Sequence, residues 1–198
     1  MIDLVCSNFD NVVVVYNGAN AMERGFLNDD DQIKGALWCP GTGQSGFNAL
    51  GSILSGDVNP PGKTSDTFVA DLTATPTANN FGSFFYDNTE EFNMTQVCFT
   101  GEEEIVAPSF VNYVEGIYVG YRFWETAADE GLINYDESVV YPFGYGLSYT
   151  TFSQEMGEIT ANDGQITFDV TVTNTGDVAG KDVVEVYYNP PYLSLIHI

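Results

Sequence analysis

The stretch from residue 141 to residue 152, Tyr-Pro-Phe-Gly-Tyr-Gly-Leu-Ser-Tyr-Thr-Thr-Phe, constrains the fold more than any other part of the chain. Gly144 and Gly146 allow backbone conformations that side chains forbid. Pro142 fixes an extended backbone, and the aromatic rings supply a large area to bury. Aromatic residues and glycines rarely fall together in this way unless a fixed architecture requires them. The stretch therefore predicts a packed connector between two domains, and we call it the connector (residues 141–152).

Predicted strands and helices alternate in the N-terminal part of the chain. The β-branched run from Asn11 to Tyr16 is typical of a parallel strand that is covered on both faces. Residues Ile33 to Cys39 predict a second strand, and residues Gln44 to Leu54 predict a helix with an apolar stripe. Gly56 is expected to end that helix. This order of elements indicates an α/β fold.

The pattern changes after the predicted helix. From Asp57 to about Val114 the periodicity is lost, which predicts a long irregular insertion of the kind that serves as a lid or packing cover. After the connector, apolar and polar residues alternate from Ile166 to Thr173, which predicts a half-buried antiparallel strand. Asn162-Asp-Gly164 predicts the turn before it. Val184 to Tyr188 continue the alternation and predict a further strand.

The connector and its flanks resemble a known family. With Tyr118-Val-Gly-Tyr-Arg122 upstream and Val170-Thr-Val-Thr-Asn-Thr-Gly176 downstream, the connector resembles the C-terminal half of glycoside hydrolase family 3, the β-glucosidase and β-xylosidase family. The likeness runs from about residue 5 to Pro191. The resemblance implies a partial α/β sandwich, with a mostly parallel sheet and helices, followed by a partial all-β fibronectin type III-like sandwich. In this family a (β/α)8 barrel normally precedes both.

The resemblance also sets the expected domain boundaries. Residues 1–140 would be the C-terminal part of the α/β sandwich domain, with the insertion at about 57–114. After the connector, residues 153–192 would be a truncated fibronectin type III-like domain. Residues 193–198 are expected to be a non-native tail, because this apolar hexapeptide replaces a polar loop and resembles translated sequencing-adapter read-through. Both ends are expected to be cuts within a longer protein.

The catalytic pair is expected outside this chain. The resemblance implies a parent enzyme that hydrolyses terminal β-linked glucose, or a similar sugar, by double displacement with retention. Its nucleophilic aspartate would lie in the missing N-terminal barrel, and its acid/base glutamate would precede the strand that ends at Tyr16. Ser65-Asp66-Thr67 lies in a segment that resembles the loop before the family's aromatic insertion, not the family's nucleophile motif, so Asp66 is not assigned as the nucleophile. The chain would be scaffold and cleft wall, and the full-length enzyme would bind an oligosaccharide or β-glucoside.

Substrate-binding candidates are few. Trp38 and Trp124 could stack on sugar rings, or they could pack in the core or against the connector. Acidic runs could supply a retaining pair or ligands for hard cations, although such runs are usually solvated surface. Ser45 and Ser148 lack a histidine base, since the only histidine, His197, lies in the suspect tail. No metal and no cofactor is predicted.

Two glycine motifs resemble nucleotide sites. Gly41-Thr-Gly43-Gln-Ser-Gly46 fits a dinucleotide fingerprint, but the required acidic residue at the end of a second strand is replaced by a Pro-rich loop. Gly62-Lys63-Thr64 ends like a phosphate-binding loop, yet two preceding prolines lack the N–H groups that cradle phosphate. Tight turns and close packing explain these glycines better.

Charge and composition limit the remaining functions. The formal net charge of -23, from 28 acidic and five basic residues, disfavours nucleic acid and anionic membranes as partners. The longest apolar run, Val12 to Val15, is too short to cross a bilayer. Three cysteines without metal spacing predict free thiols.

A bacterial secreted or cell-surface location is expected rather than a cytoplasmic one. The competing function is a non-catalytic carbohydrate-binding or adhesion module, which fibronectin-like strands alone would permit.

Overall fold

The computed structural model describes residues 1–23, 25–80, 82 and 84–189. Residues 190–192 and the expected non-native tail at 193–198 therefore lie outside the described residues. Contacts divide the chain into two units. The first unit comprises Met1–Val14, Asn20–Ala36 and Asp66–Pro142, and the second comprises Val15–Ala19, Leu37–Ser65 and Phe143–Ile198.

Short helices and strands make up the described residues. The α-helices are α1 (Ile2–Cys6), α2 (Asn48–Leu54), α3 (Tyr121–Asp129) and α4 (Tyr135–Ser138). The strands are β1 (Val12–Tyr16), β2 (Ile33–Trp38), β3 (Phe68–Val69), β4 (Phe84–Phe85), β5 (Met94–Val97), β6 (Glu103–Val106), β7 (Ser109–Phe110), β8 (Val139–Tyr141), β9 (Phe152–Met156), β10 (Thr160–Asn162), β11 (Gln165–Thr167) and β12 (Val170–Asn174). Four 3-10 helices lie at Gly25–Asn28, Leu72–Ala74, Pro76–Asn80 and Thr89–Phe92.

Strands β1 and β2 form the parallel pair that the sequence predicts. The Val12 N–H donates to the Gln32 carbonyl at 2.8 Å, and the Cys39 N–H donates to the Tyr16 carbonyl at 2.9 Å. These bonds join start to start and end to end, so the strands run in the same direction. Half-buried and exposed residues alternate along β1. Only one face of this strand is therefore covered among the described residues, where the β-branched run predicts two covered faces.

The core of the first unit lies against helix α3. Trp124 is only 4% exposed and packs with Val69 of β3 and Val139 of β8. Val69 and Val139 are also paired across the two strands. Leu72, Phe123, Ile133 and Tyr135 pack around this cluster. Burying each such apolar side chain contributes about 1.5–3 kcal/mol, so the cluster fixes helix α3 on the β3–β8 pair.

The other strand pairs are antiparallel, so the predicted mostly parallel sheet is confirmed only for β1 and β2. Each pair has two strands: β3 with β8, β4 with β7, β5 with β6, β10 with β11, and β9 with β12. A parallel pair needs a crossover of a dozen or more residues, whereas tight turns join antiparallel neighbours. Within the insertion at 57–114, the described residues form short strands and 3-10 helices joined by irregular segments.

Helix α2 is shorter than the sequence predicts. It begins at Asn48 rather than at Gln44, because residues 44–47 form turns closed by the Gly46 N–H bond to the Thr42 carbonyl. Gly56 follows the helix with a φ of 84°, as a helix-ending glycine does. The predicted stripe is left open, since Phe47 and Leu54 are both exposed.

The residues after the connector form two antiparallel pairs. β9 and β12 pair over five residues, from Val170 opposite Met156 to Asn174 opposite Phe152. The predicted turn at Asn162-Asp-Gly164 is confirmed, since Asp163 and Gly164 have φ values of 50° and 76° between β10 and β11. The predicted strand at residues 184–188 is wrong, because residues 181–189 form no strand. An isolated alternating segment cannot form a strand without a hydrogen-bonding partner.

Candidate functional site

Asn59 is a hub of hydrogen bonds in the second unit. Its side-chain Oδ1 accepts from the Ser148 Oγ at 2.9 Å and from the Tyr149 N–H at 2.9 Å. Its Nδ2 donates to the Ala179 carbonyl at 3.3 Å. The prolines that follow Asn59 in the sequence bias it to an extended backbone, which projects the side chain away from its own neighbours. One amide thus fixes two separate stretches of this unit.

Thr64 pairs with the connector through its backbone and its hydroxyl. Its N–H donates to the Tyr145 carbonyl and its carbonyl accepts from the Gly144 N–H, both at 2.8 Å. The Thr64 Oγ1 also accepts from the Tyr145 N–H at 2.9 Å. The two backbone hydrogen bonds resemble those between paired strands. The Thr64 hydroxyl adds a third hydrogen bond to the connector.

Lys63 binds the connector between these two anchor points. Its Nζ donates to the Gly146 carbonyl at 2.7 Å and lies 3.6 Å from the Asp182 carboxylate. Asp182 in turn accepts a hydrogen bond from the Gln154 Nε2 at 2.7 Å. This hydrogen bond, with the Lys63 charge as a smaller cause, lowers the pKa of Asp182. The lysine of the phosphate-loop-like string therefore has protein partners, which supports its structural interpretation.

The connector glycines are required by close contacts. A Cβ at Gly146 would overlap the Gly62 carbonyl oxygen and would lie 2.9 Å from the Lys63 Cδ. Gly144 has a φ of 78°, which side chains rarely adopt. Asn59, Lys63, Thr64 and these glycines form what we call the connector clasp. These contacts fix the path of the connector backbone.

A pocket lies on helix α3 in the first unit. Its volume is about 320 Å³. It is lined by Pro76, Val114, Glu115, Tyr118, Phe123, Thr126, Ala127, Glu130 and Leu132. The side chains from α3 recur every three or four residues, so they share one face of the helix. The lining is mostly apolar, with two carboxylates.

Several carboxylates have structural partners. The Glu115 Oε2 accepts from the Asn80 Nδ2 at 3.1 Å. The Asp66 Oδ1 accepts from the adjacent Thr67 N–H at 2.8 Å, which is a local turn contact. Asp71 caps a 3-10 helix by accepting from Thr73, and these bonds lower its pKa. Burial raises the pKa of Tyr135 to about 12, and the neighbouring Glu125 carboxylate is a smaller cause of the same shift. The tyrosine therefore stays protonated.

The cysteines and carboxylates of the described residues were candidates for metal binding or reactive chemistry. Within it, no group of three or more His, Cys, Asp or Glu side chains could hold a metal ion. No helix among these residues is both long and apolar enough to cross a bilayer. Cys6, Cys39 and Cys98 are free. Burial raises the pKa of the Cys6 thiol, and a hydrogen bond with Glu104 raises the pKa of Cys98, so the protonated form of both thiols is favoured near neutral pH.

The two tryptophans occupy different settings. Trp124 lies in the core, with its ring edge-on to that of Phe123 at 5.0 Å between centroids. Trp38 is half-buried and its Nε1 donates to the Gly18 carbonyl at 2.7 Å. A sugar platform needs an exposed ring face, which Trp124 does not offer here. Substrate binding by Trp38 stays a prediction.

The glycines at 41–46 serve a turn. Gly41 and Gly43 have φ values of 57° and 63°, which glycine adopts without strain. A Cβ at Gly46 would overlap the Thr42 carbonyl oxygen. Because steric needs account for all three glycines, a dinucleotide is not needed to explain them.

Residues 1–121 match the glycosyl hydrolase family 3 C-terminal domain. The chain belongs to glycosyl hydrolase family 3, as its connector and flanks predict.

Several relatives of the chain are β-glucosidases. It is 37% identical to β-glucosidase A of Butyrivibrio fibrisolvens over 96% of its own length, and 31% identical to a β-glucosidase of Ruminococcus albus, also over 96%. The chain spans only 21% and 17% of the lengths of these two proteins.

Solved structures give the same family. A β-glucosidase from Paenibacillus barengoltzii matches 88% of the chain with a TM-score of 0.67 and 31% identity, and the match covers 16% of that protein. A Kluyveromyces marxianus β-glucosidase in complex with glucose matches 89% with a TM-score of 0.64 and 30% identity, covering 17% of that protein. The mixed strands and helices described above are therefore those of a family 3 C-terminal region.

Proposed function

We propose that the protein containing this chain is a retaining β-glycosidase that hydrolyses terminal β-linked glucose or a similar sugar. The observation that carries the proposal is the similarity to β-glucosidases over nearly the whole chain. In double displacement a carboxylate attacks the sugar and a carboxylic acid protonates the leaving oxygen, about 5 Å apart. The rest of the protein would supply both groups, and an oligosaccharide or aryl β-glucoside would be the substrate.

The role proposed for this chain is scaffold and cleft wall. The connector clasp supports this role, because the polar side-chain groups of Asn59, Lys63 and Thr64 form hydrogen bonds within the protein. A cleft wall must hold its position to within a fraction of an ångström for catalysis to be efficient, and such a network limits movement of the backbone. Trp38 is retained as a candidate sugar contact.

The finer architecture is also a proposal. Residues 153–192 would be the start of a fibronectin type III-like sandwich, for which the antiparallel β9–β12 and β10–β11 pairs are a suitable beginning. Residues 1–140 would belong to the α/β sandwich domain, and residues 193–198 would be a foreign tail. A bacterial secreted or cell-surface location is proposed, and cell fractionation with an antibody to the chain would test it.

Turnover by the full-length protein tests the main proposal. The full-length protein should release the aglycone from aryl β-glucosides, and the first sugar released should keep the β configuration in an NMR time course. Purified residues 1–192 should show no turnover above a buffer blank. Inverted product, or sugar binding without turnover by the full-length protein, would contradict the proposal, and the latter result would favour a non-catalytic carbohydrate-binding module.

A further inference from the structure

A segment that follows the β9–β12 pair runs back along the connector. We call it the strap (residues 178–187), and it forms neither helix nor strand. Its start lies against Asn59, whose Nδ2 donates to the Ala179 carbonyl at 3.3 Å. A Cβ at Gly180 would be 2.6 Å from the same Nδ2 atom. Because the Oδ1 of Asn59 also holds the far end of the connector, the strap begins beside that end.

The middle of the strap is tied to the connector through Lys63. The Asp182 side chain is only 12% exposed and lies 3.6 Å from the Lys63 Nζ, which donates to the Gly146 carbonyl at 2.7 Å. The Gln154 side chain donates to the Asp182 carboxylate at 2.7 Å and to the Val183 carbonyl at 3.2 Å. A single side chain of β9 therefore fixes two successive residues of the strap.

The end of the strap lies on Gly144 of the connector. Both carboxylate oxygens of Glu185 lie where a side chain of Gly144 would be, so a Cβ at this position would overlap them. The Tyr187 Oη donates to the Glu185 Oε2 at 2.5 Å, and the strap itself thus orients this carboxylate. The carboxylate faces a Cα hydrogen of the glycine, and such C–H···O contacts are weak but favourable.

The contacts of the strap follow the connector in reverse order. The strap begins beside the far end of the connector, reaches Gly146 through Lys63, and ends on Gly144. The two glycines lie on either side of Tyr145, whose backbone is paired with Thr64. The strap and Thr64 together therefore enclose one short stretch of the connector, residues 144–146.

A third strand of the sheet is the alternative interpretation of this segment, because its residues alternate as those of a strand do. A strand added to β9 would exchange backbone hydrogen bonds with it. The strap instead contacts β9 through the Gln154 side chain. The apolar residues of the alternation, Val184, Val186 and Tyr188, remain 39% to 75% exposed. Polar and steric contacts with the connector therefore set the position of the strap.

We propose that the strap locks the connector: the Lys63–Asp182 link and the Glu185 carboxylate hold the backbone of residues 144–146 in its observed path, and release of the strap frees this stretch without unfolding the β9–β12 pair. The lock requires a glycine at position 144 twice, for its φ of 78° and for the space that the carboxylate occupies. The proposal goes beyond the proposed function and does not depend on it, because it concerns the connector backbone and not the sugar.

A double-mutant cycle in the full-length protein tests the contact of Glu185 with Gly144. Gly144→Ala should lower the thermal midpoint through the strain of a positive φ and through overlap with the carboxylate. In a Glu185→Ala background only the strain remains, so the same substitution should lower the midpoint less. Gly164→Ala is the matched control, because Gly164 has a φ of 76° and open space around a Cβ. The control substitution should cost the same in both backgrounds.

Hydrogen exchange of the full-length protein tests the lock itself. In the strap variant Asp182→Ala/Glu185→Ala, the amides of residues 144–145, which donate to the clasp, should exchange about tenfold faster. The amides of β9 and β12 should keep their protection. Asp177→Ala/Glu158→Ala removes two exposed carboxylates of the same unit and should change neither rate.

Three results would overturn the proposal: unchanged exchange of residues 144–145 in the strap variant, an equal effect of the control pair, or equal losses from Gly144→Ala in both backgrounds. Loss of protection in β9 and β12 as well would also overturn it, because the strap would then be an inseparable part of the sheet. Since neither readout uses glycosidase activity, an inactive full-length protein that shows local release would refute the proposed function alone.

Discussion

Replacing Asn59 by alanine should destabilise the second unit, because one side chain makes three hydrogen bonds there. Two bonds to Oδ1, from the Ser148 Oγ and the Tyr149 N–H, are both 2.9 Å long. Each contributes about 0.5–1.5 kcal/mol net. The third, to the Ala179 carbonyl, is longer at 3.3 Å and should add less. The expected loss is about 2 kcal/mol in the free energy of unfolding.

Asn59→Asp separates the contributions of the two ends of the amide. Aspartate keeps an oxygen that can accept from Ser148 and Tyr149, and bonds to an ionised acceptor are stronger. It loses the donor and places a charge near the Ala179 carbonyl. We therefore expect a loss smaller than that of the alanine variant.

Thermal unfolding of the full-length protein measures both effects. If the second unit unfolds within a cooperative transition of about 150–250 residues, a loss of about 2 kcal/mol should lower the midpoint of that transition by about 4–8 °C. Asn134→Ala is the control, because Asn134 precedes helix α4 without a side-chain capping bond. The reasoning is refuted if Asn59→Ala behaves like the control, or if Asn59→Asp costs as much as Asn59→Ala.

Three further predictions concern the clasp and the core. Gly146→Ala should cost about 1–3 kcal/mol, because the new methyl group overlaps the Gly62 carbonyl, and urea unfolding would measure it. Asp182 has a lowered pKa in the folded protein, so its stabilising contribution is present above the ordinary value of 3.8 and is lost as the pH falls through the folded pKa. Asp182→Asn should flatten that acid dependence in unfolding midpoints measured between neutral and acidic pH. Trp124→Ala should cost about 3–5 kcal/mol by opening a cavity in the core, and circular dichroism during heating would detect it.

Local sequence signals predicted the elements that local forces determine. The β-branched run from Asn11 to Tyr16 predicted strand β1, observed at Val12–Tyr16, to within one residue, because such side chains favour extended backbone. The hairpin at Asn162-Asp-Gly164 was predicted because Asp163 and Gly164 are residue types that tolerate positive φ. Helix α2 was predicted four residues too long at its start, because apolar periodicity did not reveal that Gly46 closes a turn on Thr42.

Features that depend on distant partners could not be predicted from sequence pattern. Asn59 contacts residues 89, 90 and 120 positions away, and no local pattern indicates those partners. The predicted strand at residues 184–188 had the correct alternation but no pairing strand among the described residues. Its polar neighbour Asp182 was not singled out, although it accepts from Gln154 and pairs with Lys63. Family resemblance located the connector, and only the structure located the clasp that holds it.

The contacts of Lys63 indicate that the clasp holds the connector backbone in position. The chain has five lysines and arginines against 28 acidic residues, so a cation could find an acidic partner almost anywhere on the surface. Lys63 instead donates to a backbone carbonyl of the connector and shares Asp182 with Gln154. An exposed ion pair would contribute at most about 1 kcal/mol, whereas a charged donor to a partly buried carbonyl contributes about 1.5–3 kcal/mol. Lys63 therefore stabilises the path of the connector backbone more than it balances charge, and a fixed connector path is what a cleft wall requires.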